Sequence, residues 1–289
     1  MLRIALPNKG RLSEDSRELF NQAGLDVRVT GDRALSASLG GEFEAIFVRA
    51  QDVPEFVADG AADAGITGFD LVSESTRDLA ALLDLGFSGY RIVVAARDDS
   101  PATSVSDIPA NARVATVFPN VTRQFFNDAR KPVQIVPISG AAEIAPHLGI
   151  ADYIVDITST GSTLKTNGLR ELCTVMESTA RLFACPPQSR EWPREKTIAL
   201  EELIGALDSV IRARGKRYLM ANVPRASLNR VKEILPDLNG PTVVDILDGG
   251  IHVAVHAVVP AKSVYRTIAS LKELGAEGIF LTRIERLMP

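Results

Sequence analysis

The sequence contains few of the residues on which several protein classes depend. Its only cysteines are Cys173 and Cys185, and two are too few for a disulfide framework. No stretch approaches the roughly 18 uninterrupted apolar residues of a membrane span. The first residues, Met1-Leu2-Arg3, run into a strand pattern without a basic-then-apolar leader. These absences predict a chain outside the membrane, in the reducing environment of the cytoplasm.

The chain has only a small excess of negative over positive charge, and it contains few histidines. The formal net charge is −4, which argues against a nucleic-acid-binding protein. The three histidines are His147, His252 and His256, and no cysteine lies near them in the chain. His252 and His256 are four apart but fall in a predicted strand, so the helical spacing of zinc proteases does not apply. We therefore expect no metal held by protein ligands alone.

Two common catalytic motifs are missing as well. The sequence has no Walker phosphate-binding motif, so any nucleotide must be bound in another way. It also has no Gly-x-Ser-x-Gly elbow, and neither cysteine has an obvious activating partner. Serine and cysteine nucleophiles are therefore not indicated.

An internal repeat organises the first half of the chain. Arg3–Asn8 is echoed by Arg113–Asn120, and both patterns predict a strand that runs into a Pro-Asn loop and then a helix. Further on, Gly60-Ala61-Ala62-Asp63 is echoed by Gly149-Ile150-Ala151-Asp152, again before a strand and a loop with an acid. The repeat predicts two similar α/β lobes with mainly parallel sheets. We expect the first lobe at 1–89 with 173–214, including a connecting helix, and the second at 90–172.

The last part of the chain has a different pattern. Residues 215–289 read as strand, helix, strand, strand, helix, strand, with a hairpin turn at Asp248-Gly249-Gly250. This order predicts a separate ferredoxin-like α+β domain. Such domains often bind amino acids and regulate an attached enzyme, although the alternative of an oligomerisation domain without a ligand stays open.

The segment with the clearest pattern of candidate binding residues is Ile154–Leu164. A short apolar run ends at Asp156, and after Ile157 comes an unbroken run of serine, threonine and glycine from Thr158 to Thr163. Such small residues let backbone N–H groups and hydroxyls converge on a phosphate, while the carboxylate accepts from sugar hydroxyls. The pattern suits a ribose with a 5′-phosphate, and an ordinary polar loop is the alternative.

Two cations stand at the end of the first predicted strand. Lys9 and Arg11 flank Gly10 just before a helix. They are either solvated surface charges or the groups that neutralise a pyrophosphate leaving group. In a two-lobed protein they would face the loop after Asp156 across a cleft at the carboxyl ends of the strands.

The wider segment resembles a known family. Its residues stand in the order and spacing of one signature: Gly140, Glu143, Ala145, Pro146, Gly149, Ala151, Asp152, Ile154, Asp156, Ser159, Thr160, Gly161, Thr163, Leu164, Asn167, Gly168 and Leu169. The signature is similar to that of ATP phosphoribosyltransferase, the first enzyme of histidine biosynthesis, in its long form. The resemblance extends from Arg3–Gly10 to the last strand.

The resemblance implies a fold and a reaction. The fold is a two-lobed catalytic part like a type II periplasmic binding protein, followed by the ferredoxin-like regulatory domain. The reaction transfers the 5-phosphoribosyl group of phosphoribosyl pyrophosphate to N1 of ATP and releases pyrophosphate. Mg2+ is the implied cofactor, held mainly by substrate phosphates, and L-histidine is the implied inhibitor. A homo-oligomer between dimer and hexamer is also implied.

The resemblance also implies roles for residues. Lys9, Arg11 and Asp156 are expected to be catalytic. Phosphoribosyl pyrophosphate is expected to contact Glu143, Asp156, Thr158, Ser159, Thr160, Gly161, Ser162 and Thr163. ATP is expected to contact Arg49, Asp70, Phe118 and Pro119, although Asp70 also fits a helix N-cap. Histidine is expected to contact Asn222, Leu238, Thr242 and Gly278.

Two other classes of function stay open. A solute-binding or sensor protein without catalysis could use the same two-lobed fold, but an exported leader or a helix-turn-helix segment would be expected with it. A different phosphate-handling transferase is the second alternative. In either case the predicted ligand is a small molecule and not a nucleic acid.

Overall fold

The protein is described by a computed structural model that covers residues 1–28, 34–189, 191–235, 240–246 and 249–288. Across those ranges no helix combines the length and the apolar character that crossing a membrane would need. The chain divides into two compact units, Met1–Ile204 and Gly205–Pro289.

The first lobe of the first unit is built on a seven-stranded sheet. Its strands lie in the order β2-β3-β4-β1-β5-β12-β6, and β4, β1 and β5 run parallel. The central strands are apolar on both faces because helices cover a parallel sheet on both sides. The strands are β1 (Leu2–Pro7), β2 (Val27–Arg28), β3 (Ser36–Leu39), β4 (Phe43–Val48), β5 (Ala64–Gly68), β6 (Ala80–Asp84) and β12 (Ala180–Ala184), and the helices are α1 (Arg11–Gln22), α2 (Val53–Ala58) and α3 (Phe69–Ser75).

The second lobe is built on a five-stranded sheet with the order β11-β7-β10-β8-β9. Strands β10, β8 and β9 are parallel, and β7 and β11 are antiparallel to their neighbours. The strands are β7 (Tyr90–Arg97), β8 (Arg113–Thr116), β9 (Gln134–Pro137), β10 (Tyr153–Thr158) and β11 (Leu169–Ser178), and the helices are α4 (Pro119–Asp128) and α5 (Ser162–Thr166).

The repeat in the sequence corresponds to a repeat in the structure. In the first lobe the Arg3 N–H donates to Asp63 Oδ2 at 2.9 Å, and the Asp63 N–H donates to the Arg3 carbonyl at 2.8 Å. In the second lobe Arg113 and Asp152 make the same two bonds, both at 2.8 Å. The lobes differ before these acids, because α2 has only a short 3-10 helix, Ala142–Ile144, as its counterpart.

The chain passes between the lobes twice, which confirms the predicted two-lobed fold with two crossovers. The first crossing joins β6 to β7 through 85–89, close to the predicted boundary at residue 89. The second crossing was predicted at Cys173, but Cys173–Ser178 still pairs with β7, and the chain enters the first sheet after Thr179. The predicted crossing point lies too early in the chain. A single residue separates β11 from β12, and no glycine or proline marks the crossing there.

The second unit is a four-stranded antiparallel sheet with the order β14-β15-β13-β16. Its elements are β13 (Lys216–Pro224), α7 (Leu228–Ile234), β14 (Thr242–Asp245), β15 (His252–Pro260), α8 (Val264–Glu273) and β16 (Glu277–Arg283). This is the predicted ferredoxin-like arrangement. Alternate residues of β13 and β15 are buried in one core with Leu271 of α8, so the helices cover one face of the sheet.

The connecting helix α6 (Arg194–Ala213) belongs to both units. The predicted domain boundary followed this helix at residue 214, whereas the boundary between the compact units falls within it, after Ile204. The second half of the helix is tied to the end of the chain, because the Leu287 N–H donates to the Ser209 carbonyl at 2.8 Å.

Candidate functional site

The first lobe presents three cationic side chains at the carboxyl ends of adjacent strands. Strands β1 and β4 are parallel and end together, with Pro7 opposite Val48. The Asn8 N–H donates to the Val48 carbonyl at 2.8 Å, which fixes the loop that follows β1 beside Arg49. Lys9, Arg11 and Arg49 are all exposed, and within the described ranges Arg11 makes only a loose ion pair, with Asp15 at 3.6 Å. These charges are available to an anion.

The second lobe presents the phosphate loop, which we define as Thr158–Thr163. It begins at the carboxyl end of β10 and ends in the first turn of α5. Buried Thr158 accepts the Gly161 N–H on its Oγ1 at 2.9 Å, and this bond closes the loop. Gly161 has φ +76° and no atom near the position of a Cβ, so its backbone faces open space. The hydroxyl-bearing residues Ser159, Thr160, Ser162 and Thr163 are exposed.

Asp156 lies just before this loop in an unfavourable electrostatic environment. Burial raises the pKa of its carboxyl group, and the nearby charge of Glu143 raises it further, against a bond from the Ile157 N–H. That bond joins Asp156 Oδ1 at 2.7 Å. An acid kept where ionisation is costly is typical of a functional site. The structure thus brings together Asp156 and Glu143, the two predicted sugar-binding acids.

A cavity of about 400 Å³ lies between the lobes. Arg11, Ala50, Gly68 and Leu71 line it from the first lobe, and Ile157 and Ser159 line it from the second; the remaining lining residues are Leu12, Ser88, Gly89, Tyr90 and Ala180. Of the predicted site residues, Arg11 and Ser159 therefore line the same cavity, one from each lobe. The cavity lies in the predicted cleft, with a cation on one side and the phosphate loop on the other.

Asp70 lies at this cleft but is fully buried. It is the second residue of α3, and Gly68 precedes the helix, so the predicted N-cap role is wrong. Its Oδ1 accepts from the Tyr90 hydroxyl at 2.7 Å and from the Ser178 hydroxyl at 2.6 Å. Its Oδ2 is the one buried side-chain nitrogen or oxygen without a hydrogen-bond partner in the described part of the chain. Sequence reasoning missed both hydroxyl partners.

Phe118 and Pro119 stand at the start of α4, at the carboxyl end of β8. Phe118 is only 4% exposed and packs in the second-lobe core, so its side chain does not face the cleft. The first turn of α4 is already occupied, because Glu74 of α3 accepts the N–H groups of Asn120 and Val121, each at 3.0 Å. The loop after β8 therefore differs from its counterpart after β1, where the helix start is free of such a carboxylate contact in the described residues.

The predicted effector residues are spread across the sheet of the second unit. Asn222 and Gly278 are neighbours on β13 and β16, since a Cβ on Gly278 would lie 3.5 Å from Asn222 Nδ2. Thr242 begins β14, which lies three strand positions from β16, or roughly 14 Å at the usual spacing. All three are exposed. Leu238 lies outside the described residues.

Two carboxylates, Glu143 and Asp156, lie beside the phosphate loop. Within the described ranges no group of three or more His, Cys, Asp or Glu side chains converges in a way that could hold a metal ion. Glu143 and Asp156 are two carboxylates close enough to affect each other electrostatically. Mg2+ prefers oxygen ligands and is often bound by one or two carboxylates together with substrate phosphates, and this pair fits that mode.

Comparisons with known proteins agree over the whole chain. The ATP phosphoribosyltransferase family model matches residues 49–209, and the model of the HisG C-terminal domain matches residues 213–286. The chain is 65% identical to ATP phosphoribosyltransferase of Gemmatimonas aurantiaca, covering all of both chains. It is 47% identical to that of Haloarcula marismortui, with 99% of this chain and 100% of the relative covered.

A solved structure gives the same result for the catalytic part. The ATP phosphoribosyl transferase (HisG:HisZ) complex from Thermotoga maritima contains a chain that is 31% identical, with a TM-score of 0.61. The match covers 72% of this chain and 99% of the other. Neither the sequence matches nor this structure favours the sensor alternative. The chain belongs to the ATP phosphoribosyltransferase family, the transferases that begin histidine biosynthesis.

Proposed function

We propose that the cleft between the lobes binds phosphoribosyl pyrophosphate and ATP and joins them. The observation that carries this proposal is the exposed phosphate loop after Asp156, which faces Arg11 across a shared cavity. In this assignment the loop binds the 5′-phosphate, Asp156 and Glu143 orient the ribose hydroxyls, and Lys9 and Arg11 face the pyrophosphate. The separation of the two anionic groups of the substrate explains why each lobe has its own anion-binding surface.

The reaction places specific demands on these residues. The lone pair on adenine N1 forms a bond to C1 of the ribose, while the bond from C1 to pyrophosphate breaks and its electron pair leaves with the pyrophosphate. No strong base is needed, because N1 carries no proton. Catalysis therefore depends on aligning the two substrates and on stabilising the departing charge. Lys9 and Arg11 supply positive charge at that position, and the Asp156 carboxylate lies beside the ribose, where positive charge develops.

Mg2+ fits this assignment as the cofactor. Glu143 and Asp156 would be its protein-side ligands, with most ligands coming from the substrate. When bound, the ion neutralises pyrophosphate charge as it departs. The protein's own side chains, Glu143 and Asp156, still have to hold the ribose in one orientation.

ATP is proposed to approach from the side of Arg49. This side chain is exposed and stands next to Lys9 and Arg11 because β1 and β4 end together. The roles proposed for Phe118 and Pro119 are limited to their backbone and to shaping the wall, since Phe118 is buried and Glu74 occupies the N–H groups of α4. The burial of Asp70 likewise argues against direct contact with ATP in this arrangement of the lobes.

The proposed function is tested by following pyrophosphate release with each component omitted in turn. We expect release only when ATP, phosphoribosyl pyrophosphate and Mg2+ are all present, together with a product whose absorbance differs from that of ATP. Release with GTP but not with ATP would contradict the proposal, because the attacking atom is assigned to adenine.

We also propose that the second unit is the regulatory domain and that L-histidine is its ligand. Asn222 with Gly278 forms one exposed corner of the sheet, and Thr242 lies on the far edge strand. Within one copy these two groups lie toward opposite edges of the sheet, and two copies meeting edge to edge would bring them together. The effector proposal is therefore linked to a homo-oligomer, between dimer and hexamer.

We place the enzyme in the cytoplasm, in keeping with its two free cysteines.

Thr242→Tyr is expected to weaken inhibition by histidine by about 10-fold or more, a loss of roughly 1.4 kcal/mol of binding. A bulky ring on this edge strand would fill the space that the ligand needs, while the catalytic lobes stay unchanged. The measurement is an inhibition curve at fixed substrate concentrations, after oligomer size and uninhibited turnover have been checked. Thr267→Tyr is the control, because α8 covers the other face of the same sheet. Unchanged inhibition of Thr242→Tyr would show that the effector site lies elsewhere.

A further inference from the structure

The two chain segments that connect the lobes are bonded to each other and to the first lobe. The Leu85 N–H donates to the Ala180 carbonyl at 2.9 Å, and the Ala180 N–H donates to the Phe87 carbonyl at 3.1 Å. The Phe69 N–H, at the start of α3, donates to the Thr179 carbonyl at 3.1 Å. Both crossings and the beginning of α3 thus form one hydrogen-bonded structure.

One buried carboxylate lies at the centre of this structure. Tyr90 is the first residue of β7 and Ser178 is the last residue of β11, and the two are paired directly across these strands. Both hydroxyls donate to Asp70 Oδ1, at 2.7 and 2.6 Å, and the Asp70 N–H donates to Ser178 Oγ at 3.1 Å. We call Asp70, Tyr90 and Ser178 the hinge clasp. It joins the first lobe to the residue where the chain enters the second lobe, Tyr90, and to the residue where the chain leaves it, Ser178.

Packing leaves the hinge clasp little freedom. A Cβ on Gly68 would lie 2.2 Å from Asp70 Oδ1, so the carboxylate rests directly on the backbone at the end of β5. Asp70 is fully buried, so losing either hydroxyl partner would leave this polar group further unsatisfied and away from water. Burial first, and then the charge of Asp70, raise the pKa of Tyr90 far above its usual value, so its hydroxyl keeps the proton it donates.

The hinge clasp also borders the proposed active site. Tyr90 itself lines the cleft cavity, as do Gly68 and Leu71 on either side of Asp70 in the chain. The residues proposed to bind the two ends of phosphoribosyl pyrophosphate belong to different lobes. Their separation is therefore set where the lobes are joined. A displacement of about 1 Å between aligned groups can reduce a rate by about 100-fold.

We propose that Tyr90 and Ser178 are positioning residues for the transfer reaction. By holding Asp70 of α3 they fix the first lobe against β7 and β11. They therefore set the distance from the phosphate loop in one lobe to Lys9 and Arg11 in the other. This inference rests on the proposed function of the cleft. It assigns Asp70 a role in arranging the lobes, which accounts for its burial better than direct contact with ATP.

The test compares Tyr90→Phe and Ser178→Ala with the parent enzyme. Each variant removes one hydroxyl and keeps most of the packing. We expect kcat to fall by about 10- to 100-fold in each, with KM for ATP changed by less than about 3-fold, because the contact proposed for ATP at Arg49 lies within the first lobe. Tyr265→Phe is the control, since it removes an exposed hydroxyl of α8 whose one hydrogen bond within the described ranges is accepted from Arg266 at 2.8 Å; its kcat is expected to match that of the parent.

Amide hydrogen exchange without substrates separates this inference from the proposed function. Peptides that cover residues 66–90 and 176–184 are expected to exchange about 10-fold faster in both variants than in the parent, and no faster in Tyr265→Phe. Faster exchange there together with lowered kcat supports positioning. Unchanged exchange in these peptides would overturn the inference even if the parent showed no transferase activity. Unchanged kcat in both variants of an active enzyme would overturn it as well, and a lower unfolding temperature alone would show a purely structural role.

Discussion

Gly161→Val is expected to raise KM for phosphoribosyl pyrophosphate by roughly 30- to 4,000-fold, equivalent to about 2–5 kcal/mol of lost binding. Gly161 has φ +76° and open space at its Cβ position, so its backbone can approach a phosphate closely. A valine side chain would fill that space and separate the phosphate from the loop. The measurement is steady-state kinetics with ATP held at saturation.

The control for this variant must carry the same backbone strain. Gly149 lies in the same lobe, near the opposite end of β10, and also has a positive φ, +67°, with no atom near its Cβ position. Gly149→Val should therefore lose a similar free energy of unfolding, about 1–2 kcal/mol, without the effect on KM. If both variants lose substrate affinity equally, the effect of Gly161→Val comes from folding and not from the loop.

Asp156→Asn is expected to lower kcat/KM by roughly 10- to 150-fold and to increase the stability of the folded protein at neutral pH. The amide keeps the shape of the side chain but replaces charge-assisted bonds to the ribose with weaker ones. The stability gain follows from the raised pKa of Asp156, because burial and Glu143 make its ionised form costly in the folded state. Such opposite changes in stability and activity are typical of functional groups.

The sign of the pH dependence follows from the direction of the shift. The folded-state pKa of Asp156 is raised, so its contribution to stability is fully present below pH 3.8 and is lost as the pH rises through the folded pKa. The advantage of Asp156→Asn should therefore be present at pH 7 and disappear near pH 4. Asp152 provides a control of opposite sign, because its bonds with Arg113 lower its pKa. Asp152→Asn should be less stable than the parent at pH 7. Urea unfolding at both pH values measures each difference.

The parts of the site that lie within one lobe could be predicted from the sequence. The strand that ends at Asp156 and the polar run that follows it are continuous in the chain, so their chemistry is visible without a structure. The repeat was equally visible, and Asp63 and Asp152 make the same backbone bonds in the two lobes. Local patterns of this kind are fixed by strand periodicity and by the loop that follows each strand.

The parts of the site that connect the lobes could not be predicted in this way. Asp70 and Ser178 are separated by 108 positions in the chain, and their contact depends on where two strands cross from one sheet to the other. The predicted crossing at Cys173 failed because β11 contains two irregularities opposite β7 and continues to Ser178. The predicted boundary after residue 89 lies next to Tyr90, but no local signal indicated that the Tyr90 hydroxyl binds a buried acid.

The measurement that tests the central claim most directly is calorimetric titration of phosphoribosyl pyrophosphate with Mg2+, in the absence of ATP. The claim is that Asp156 and the phosphate loop bind the phosphoribosyl group. The account predicts that the parent, Gly149→Val and Asp152→Asn bind with similar affinity, and that Gly161→Val and Asp156→Asn bind at least about 10-fold more weakly. Parent-like affinity in both Gly161→Val and Asp156→Asn would contradict the account, because the substrate would then be bound by other residues.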